Sequence, residues 1–293
     1  MTHASALPVR RGLVHLSIAA AAWGTGGAAG ALLHRTGDLS PVAVSFWRFA
    51  CGAAFLLIAA RVGRRPASRP SWRTIAVIGP AMAVCQAAYF AAIADTGVAV
   101  ATMVTMGANP VLVAVGGRVF LREPFSRTRL ACVGLAVAGL AMLVGGAGRF
   151  TPAGVGYALL SAAGYSAVTL FARSAGDDRG RALWGFVAGA VCLLPLAAAH
   201  GLFPAPGDAG ATVLLLAYLG AVPTALAYGL FFAGLRTVSG TTAAVIALLE
   251  PLVAAAIGVF LLREHLAAAQ LAGGITLLAA VACLARSELN AAG

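Results

Sequence analysis

The sequence predicts an all-α polytopic membrane protein: ten transmembrane helices arranged as two inverted five-helix repeats. Three observations predict it. Apolar residues fill 61% of the 293 positions and charged residues only 10%, with mean hydropathy +0.93, whereas a soluble domain carries about 25% charge. Apolar runs of bilayer length recur along the whole chain, and roughly 20 helical residues cross a hydrocarbon core about 30 Å thick. The pattern of the first half then returns in the second.

Short polar breaks delimit the spans in order. Arg10-Arg11 precede Leu13–Leu33, and Pro41 opens Pro41–Ala60. An arginine-rich stretch leads into Trp72–Ala94, and Asp95 separates that run from Gly97–Phe120. Leu130–Gly146 closes the first half. The second half reads Thr151–Phe171, Ala182–Ala199, Ala211–Ala233, Gly240–Leu262 and Leu266–Ala285. The first run exceeds the roughly 7–15 residues of a signal-peptide core, so it is expected to be a retained helix. The period-two polarity of a membrane β-barrel is absent.

The net charge of +11 comes entirely from arginine, as no lysine occurs. With the N-terminus inside, only Arg35, Arg149 and Arg263 fall outside and Arg48 lies within the second span. All other arginines fall on the cytoplasmic side, which is the positive-inside bias. Both termini are therefore expected to be cytoplasmic, in a bacterial inner membrane. The charge reports topology rather than a nucleic-acid partner. The five cysteines all lie within spans without metal-ligand spacing, so no metal, no cofactor and no disulfide are expected.

The halves resemble each other in detail. Arg122-Glu123 follows Pro110 at the interval at which Arg263-Glu264 follows Pro251. WRFACGA from Trp47 parallels WGFVAGA from Trp184, Trp23 parallels Tyr165, and Tyr89 parallels Tyr228. Residues 1–146 and 151–286 then form the repeats, with 287–293 as a cytoplasmic tail. Because each repeat holds an odd number of helices, the second enters the membrane inverted. Such repeats are the architecture of transporters with a midplane site.

With its doubled proline-then-LRE segments, glycines Gly134, Gly139, Gly273 and Gly274, and Arg48 early in the second span, the chain resembles the drug/metabolite transporter superfamily, specifically its EamA-type ten-helix members. The resemblance covers about Gly12 to Ala285. It implies alternating access by two inverted repeats, export of small metabolites, and amino acids, aromatic ones included, as a frequent substrate class. It also implies that the first, third, fourth, sixth, eighth and ninth helices line the pathway. One departure stands out: Asn109-Pro110 in the first half faces Glu250-Pro251 in the second.

These helices hold most of the polar and aromatic exceptions, so the candidate cavity residues are Trp23, Thr25, Gln86, Tyr89, Asn109, Tyr165, Thr224 and Tyr228. Aromatic walls suit a flat substrate whose polar end meets Gln86, Thr25 and Thr224. Aromatics in membrane helices also fill gaps or mark interfaces, the reading given to Trp47, Trp72 and Trp184 near span ends. Glu250 lies near the bilayer centre, where a charge costs several kcal/mol. It is a candidate for proton coupling or for a substrate amine, and equally for a structural acid beside the helix break. Pro110 and Pro251 are the candidate breaks, freeing the carbonyls of Met106 and Ala247. Arg48, about 10 Å below the outer edge, is expected to snorkel or pair with Asp38, with binding of a substrate carboxylate as the alternative. Arg122-Glu123 and Arg263-Glu264 read as pairs that lock the fold.

A secondary exporter of amphipathic metabolites is thus expected, monomeric, with lipid and a small molecule as partners. A multidrug exporter of the same fold is the alternative. A sugar-phosphate carrier needs more buried basic residues than Arg48. No catalytic constellation lies within the spans, so no enzyme is expected, and the chain has no phosphate-binding G-x-x-x-x-G-K-[ST] loop.

Overall fold

The computed structural model describes residues 3–37, 39–63, 70–123, 126–144, 151–174, 180–203, 209–262 and 267–292, and these are helical throughout, apart from turns. Asp38, Arg149, Arg263 and Glu264 lie outside them. The helices are α1 (His3–Gly37), α2 (Pro41–Val62), α3 (Trp72–Val98), α4 (Val100–Phe120), α5 (Arg127–Val144), α6 (Pro152–Ser174) and α7 (Arg181–Ala199). Then come α8 (Ala209–Gly220, continued by Ala221–Leu226 and Ala227–Gly234), α9 (Gly240–Ala247 and Leu249–Leu262) and α10 (Ala268–Ala292).

Local chemistry sets the ends. Ser40 accepts from the Ala43 amide at 3.2 Å ahead of Pro41, whose missing N–H is harmless in the first turn. Ser71 and Ser239 cap α3 and α9 in the same way. Between α3 and α4 the chain reverses at Gly97, with φ 82° and ψ 162°, a conformation open to glycine and strained for other residues. α10 runs on to Ala292, through most of the expected tail.

Among the described residues, nine segments from Pro41–Val62 to Ala268–Ala291 are long and apolar enough to cross a membrane. Large apolar side chains cover the outside of the bundle, with Phe260, Phe120 and Trp72 all widely exposed. In water that surface would associate; in lipid it is solvated, and helices satisfy their backbone internally. The chain is a multi-pass membrane protein.

The halves interlock by equivalent contacts. α1 packs on α8 and α9 of the second half, while α6 packs on α3 and α4 of the first. α2 pairs with α7 and α5 with α10, each helix with its counterpart. The parallel phenylalanines of the two sequence motifs, Phe49 and Phe186, stack with centroids 5.3 Å apart. α5 and α10 cross backbone to backbone. A Cβ on Gly273 would lie 2.5 Å from the Leu143 amide nitrogen and 2.6 Å from the Gly139 carbonyl oxygen. Such small-residue contacts drive association where the hydrophobic effect is absent. Gly273→Val must separate the two helices and is expected to cost about 1–3 kcal/mol. Loss of the monodisperse peak on detergent size-exclusion after mild heating checks it.

Candidate functional site

Three prolines shape the helices around the bundle centre. Pro223 cannot donate to the Leu219 carbonyl, and α8 answers with a π-turn at Ala221–Leu226. The Thr224 hydroxyl donates to that same carbonyl at 2.7 Å, restoring the lost bond. In α9 the helix stops at Ala247, turns at Leu248 and restarts at Leu249. Pro251 is the third residue of the restarted helix and leaves the Ala247 carbonyl without its usual donor. Glu250 therefore sits in a helical first turn, where the backbone dipole favours an acid.

Pro110 behaves differently from the expected break. α4 runs helically from Val100 to Phe120 through it. A proline removes one hydrogen bond, and this helix is held to α6 in the turns just before it. The Thr105 hydroxyl donates to the Ala158 carbonyl at 3.1 Å, and the Ser166 hydroxyl donates to Asn109 Oδ1 at 2.9 Å.

Between the halves lies a cavity of about 400 Å³, within the roughly 300–1,000 Å³ usual for small-molecule sites. It draws walls from α1, α2, α3 and α4 of the first half and from α6, α8 and α9 of the second. Trp23, Gln86, Tyr89, Asn109, Tyr165, Tyr228 and Glu250 line it, as do Met106 and Ala247, the residues that the prolines deprive of a donor. Leu39, Pro41, Ile93 and Val98 carry the wall to the end of the bundle holding the α1–α2 and α3–α4 turns.

The aromatic wall is a packed unit. Trp23 meets Tyr228 edge-on at 5.0 Å and Phe231 at 5.2 Å, and Tyr228 meets Phe186 at 5.1 Å. Such pairs favour this offset geometry and hold their rings still. Tyr89 shares a 2.5 Å hydrogen bond with Thr102, so its ring faces the cavity while its hydroxyl ties α3 to α4.

Two expected cavity residues lie elsewhere. Thr224 is fully buried and occupied with Leu219. Thr25 donates to the Ala22 carbonyl at 2.7 Å and accepts from the Tyr218 hydroxyl at 2.7 Å, joining α1 to α8. Neither is among the residues lining the void. Thr224→Val, which keeps the shape, is expected to lower stability by about 1 kcal/mol with substrate affinity unchanged. Thermal unfolding in detergent alongside ligand titration checks both halves of that statement.

Arg48 is the converse case. It lines the cavity from α2, alongside the residues the sequence nominated. Phe90, Val168, Thr169 and Phe231 also join the wall. Thr169 and Val168 continue the polar and apolar register of Tyr165 and Ser166 on α6, which is the sequence signal that reaches them.

Polar ties hold the opposite end of the bundle. Glu123 pairs with Arg173 at 3.7 Å, and Arg173 also donates to the Leu235 carbonyl at 2.8 Å. Arg122 beside it is exposed, with φ 55°. The buried Glu288 accepts from Arg129 at 3.3 Å, from Ser239 at 2.5 Å and from Thr242 at 2.6 Å. One carboxylate thus joins α5, α9 and α10.

The cavity is thus walled by both halves, and the polar ties lie at the end of the bundle opposite Leu39, Pro41, Ile93 and Val98. The EamA-like transporter family model matches the chain twice, over residues 10–145 and 152–286. An uncharacterized transporter of Bacillus subtilis (strain 168), YwfM, is 30% identical over 258 residues, covering 85% of each chain. A solved crystal structure superposes with a TM-score of 0.80 over 97% of this chain and 98% of that one, at 17% identity, a likeness of fold. On the two family matches, the chain belongs to the EamA-like transporter family.

Proposed function

We propose that the protein is a secondary transporter of the bacterial inner membrane that exports small amphipathic metabolites, amino acids with aromatic or hydrophobic side chains first among them. In this reading the ten helices all cross the bilayer, residues 1–146 and 151–286 form inverted repeats, and both termini are cytoplasmic. The halves rock about the central cavity, so that it faces each side in turn. The positive-inside distribution of arginine supports the orientation.

The observation that carries the substrate class is the composition of the cavity. Trp23, Tyr228 and Phe231 supply a rigid aromatic surface, and Arg48 and Glu250 supply charge of both signs in the same void. A sugar phosphate would call for clustered cations, of which the wall offers Arg48.

Uptake into proteoliposomes of labelled amino acids, hexose phosphates and lipophilic cations tests the reading. Saturable transport of aromatic amino acids, and none of hexose phosphates, is expected. Transport of lipophilic cations without amino acids would assign the cavity to drug efflux instead.

A further inference from the structure

The cavity wall carries one arginine and one acid that make no ion pair with each other. Arg48 on α2 and Glu250 on α9 both line it, near enough for their charges to interact. Among the described residues, however, no ion pair within 4 Å joins them. The Arg48 Nε is buried without a hydrogen-bond partner, and so is the indole nitrogen of Trp23. A guanidinium offers five donors in a fixed fork that matches a carboxylate, and leaving a buried donor unmade is costly. Each charge would stabilise the fold better by closing on the other. They are held apart instead, with the void between the helices that carry them.

The repeat sharpens this. The counterpart of Arg48 in the second half is Gly185, and the counterpart of Glu250 in the first is Asn109. Each charge therefore occurs once, and they come from opposite halves. A ligand that satisfies both must bridge the two halves.

The geometry points to Arg48 as a specificity-determining residue that holds the substrate's carboxylate, while Glu250 takes its ammonium group and the Trp23–Tyr228–Phe231 wall takes its side chain. This rests on the amino-acid reading above and deepens it: the site selects a free zwitterion and reads both poles. A ligand lacking either pole leaves one buried charge uncompensated, which is a stronger rejection than a missing apolar contact gives.

Calorimetric binding to the purified full chain in nanodiscs tests this with three probes: L-phenylalanine, L-phenylalaninamide, which lacks the carboxylate, and 3-phenylpropionate, which lacks the ammonium. The wild type is expected to bind L-phenylalanine at least about tenfold more tightly than either analogue. Arg48→Gln should erase the preference over the amide and keep the preference over 3-phenylpropionate. Glu250→Gln should do the reverse, and Arg48→Lys should recover part of the affinity that Arg48→Gln loses. Size-exclusion profiles matching wild type establish that the variants are folded; should Arg48→Gln fail to fold, the ratios in wild type and Arg48→Lys decide. An unchanged phenylalanine-to-amide ratio in either Arg48 variant overturns the assignment. Equal binding of all three probes by the wild type overturns it too while leaving the transporter reading standing. Binding of none overturns the amino-acid reading and this assignment with it.

Discussion

With Glu250 read as a carboxylate that binds a proton and the substrate ammonium in turn, Glu250→Gln is expected to abolish the response of transport to a proton gradient and to slow amino-acid export at least about tenfold. Glutamine keeps the shape and a hydrogen-bonding end but can neither bind and release a proton nor carry charge. A hydrogen bond to a charged group contributes about 1.5–3 kcal/mol, and each roughly 1.4 kcal/mol is a factor of ten in rate. Glu250 is the one acid lining the cavity among the described residues. An acid retained at membrane depth, where a charge costs several kcal/mol, is expected to serve the pathway it faces. Proteoliposome flux at matched protein density, with and without an inward proton gradient, measures both effects. Unchanged flux and unchanged gradient response would assign Glu250 to the first-turn acid of the restarted helix beside Pro251, a structural role alone.

The second large effect belongs to the far end of the bundle. Glu288→Ala removes the carboxylate that Arg129, Ser239 and Thr242 share. Breaking a buried ion pair by deleting one partner costs about 3–5 kcal/mol when the remaining charge is fully enclosed. The Arg129 side chain keeps 21% of its exposure, so the lower end of that range applies. A drop in Tm of about 5–10 °C in detergent is expected. Glu288→Gln, which still accepts from the two hydroxyls, should lose less. Because the tie joins α9 to α5 and α10, its loss should also make a cysteine placed at Thr241 more reactive to a membrane-impermeant thiol reagent, read against the native cysteines. Equal Tm values and equal labelling in Glu288→Ala and wild type would show that this cluster does not hold the end closed.

The helices were legible in the sequence because a bilayer imposes a length, and polar residues have few places to go. The breaks at Pro41, Trp72, Gly97 and Gly240 coincide with helix starts or reversals within a few residues, each with a serine cap or a glycine to explain it. Arg48 shows where such reading stops. Depth follows from residue count, but the direction a side chain faces follows from how the helix is rotated. Packing sets that rotation, through Phe49 on Phe186 and Gly52 against Thr224. Polarity in a cavity helix points Thr224 toward the void, yet Pro223 one position earlier frees the Leu219 carbonyl that takes its hydroxyl. Glu288 was unreadable for another reason. It follows the last apolar run and looks like a tail residue, and its partners Arg129, Ser239 and Thr242 lie far away in sequence. The asymmetry of the prolines was also hidden. Pro110 and Pro251 occupy matching positions, but the contacts of α4 with α6 at Thr105 and Asn109 hold one helix continuous, while the other turns at Leu248.

That the void between the halves is the transport site is tested most directly by filling it. Ala247 lines the cavity at the carbonyl Pro251 leaves free, and Ala247→Trp places an indole into a space of about 400 Å³. Counterflow is the readout: vesicles preloaded with unlabelled L-phenylalanine and diluted into labelled L-phenylalanine. Wild type should accumulate label transiently above equilibrium, and folded Ala247→Trp should not. Accumulation by Ala247→Trp equal to that of wild type would contradict the assignment of the cavity as the path.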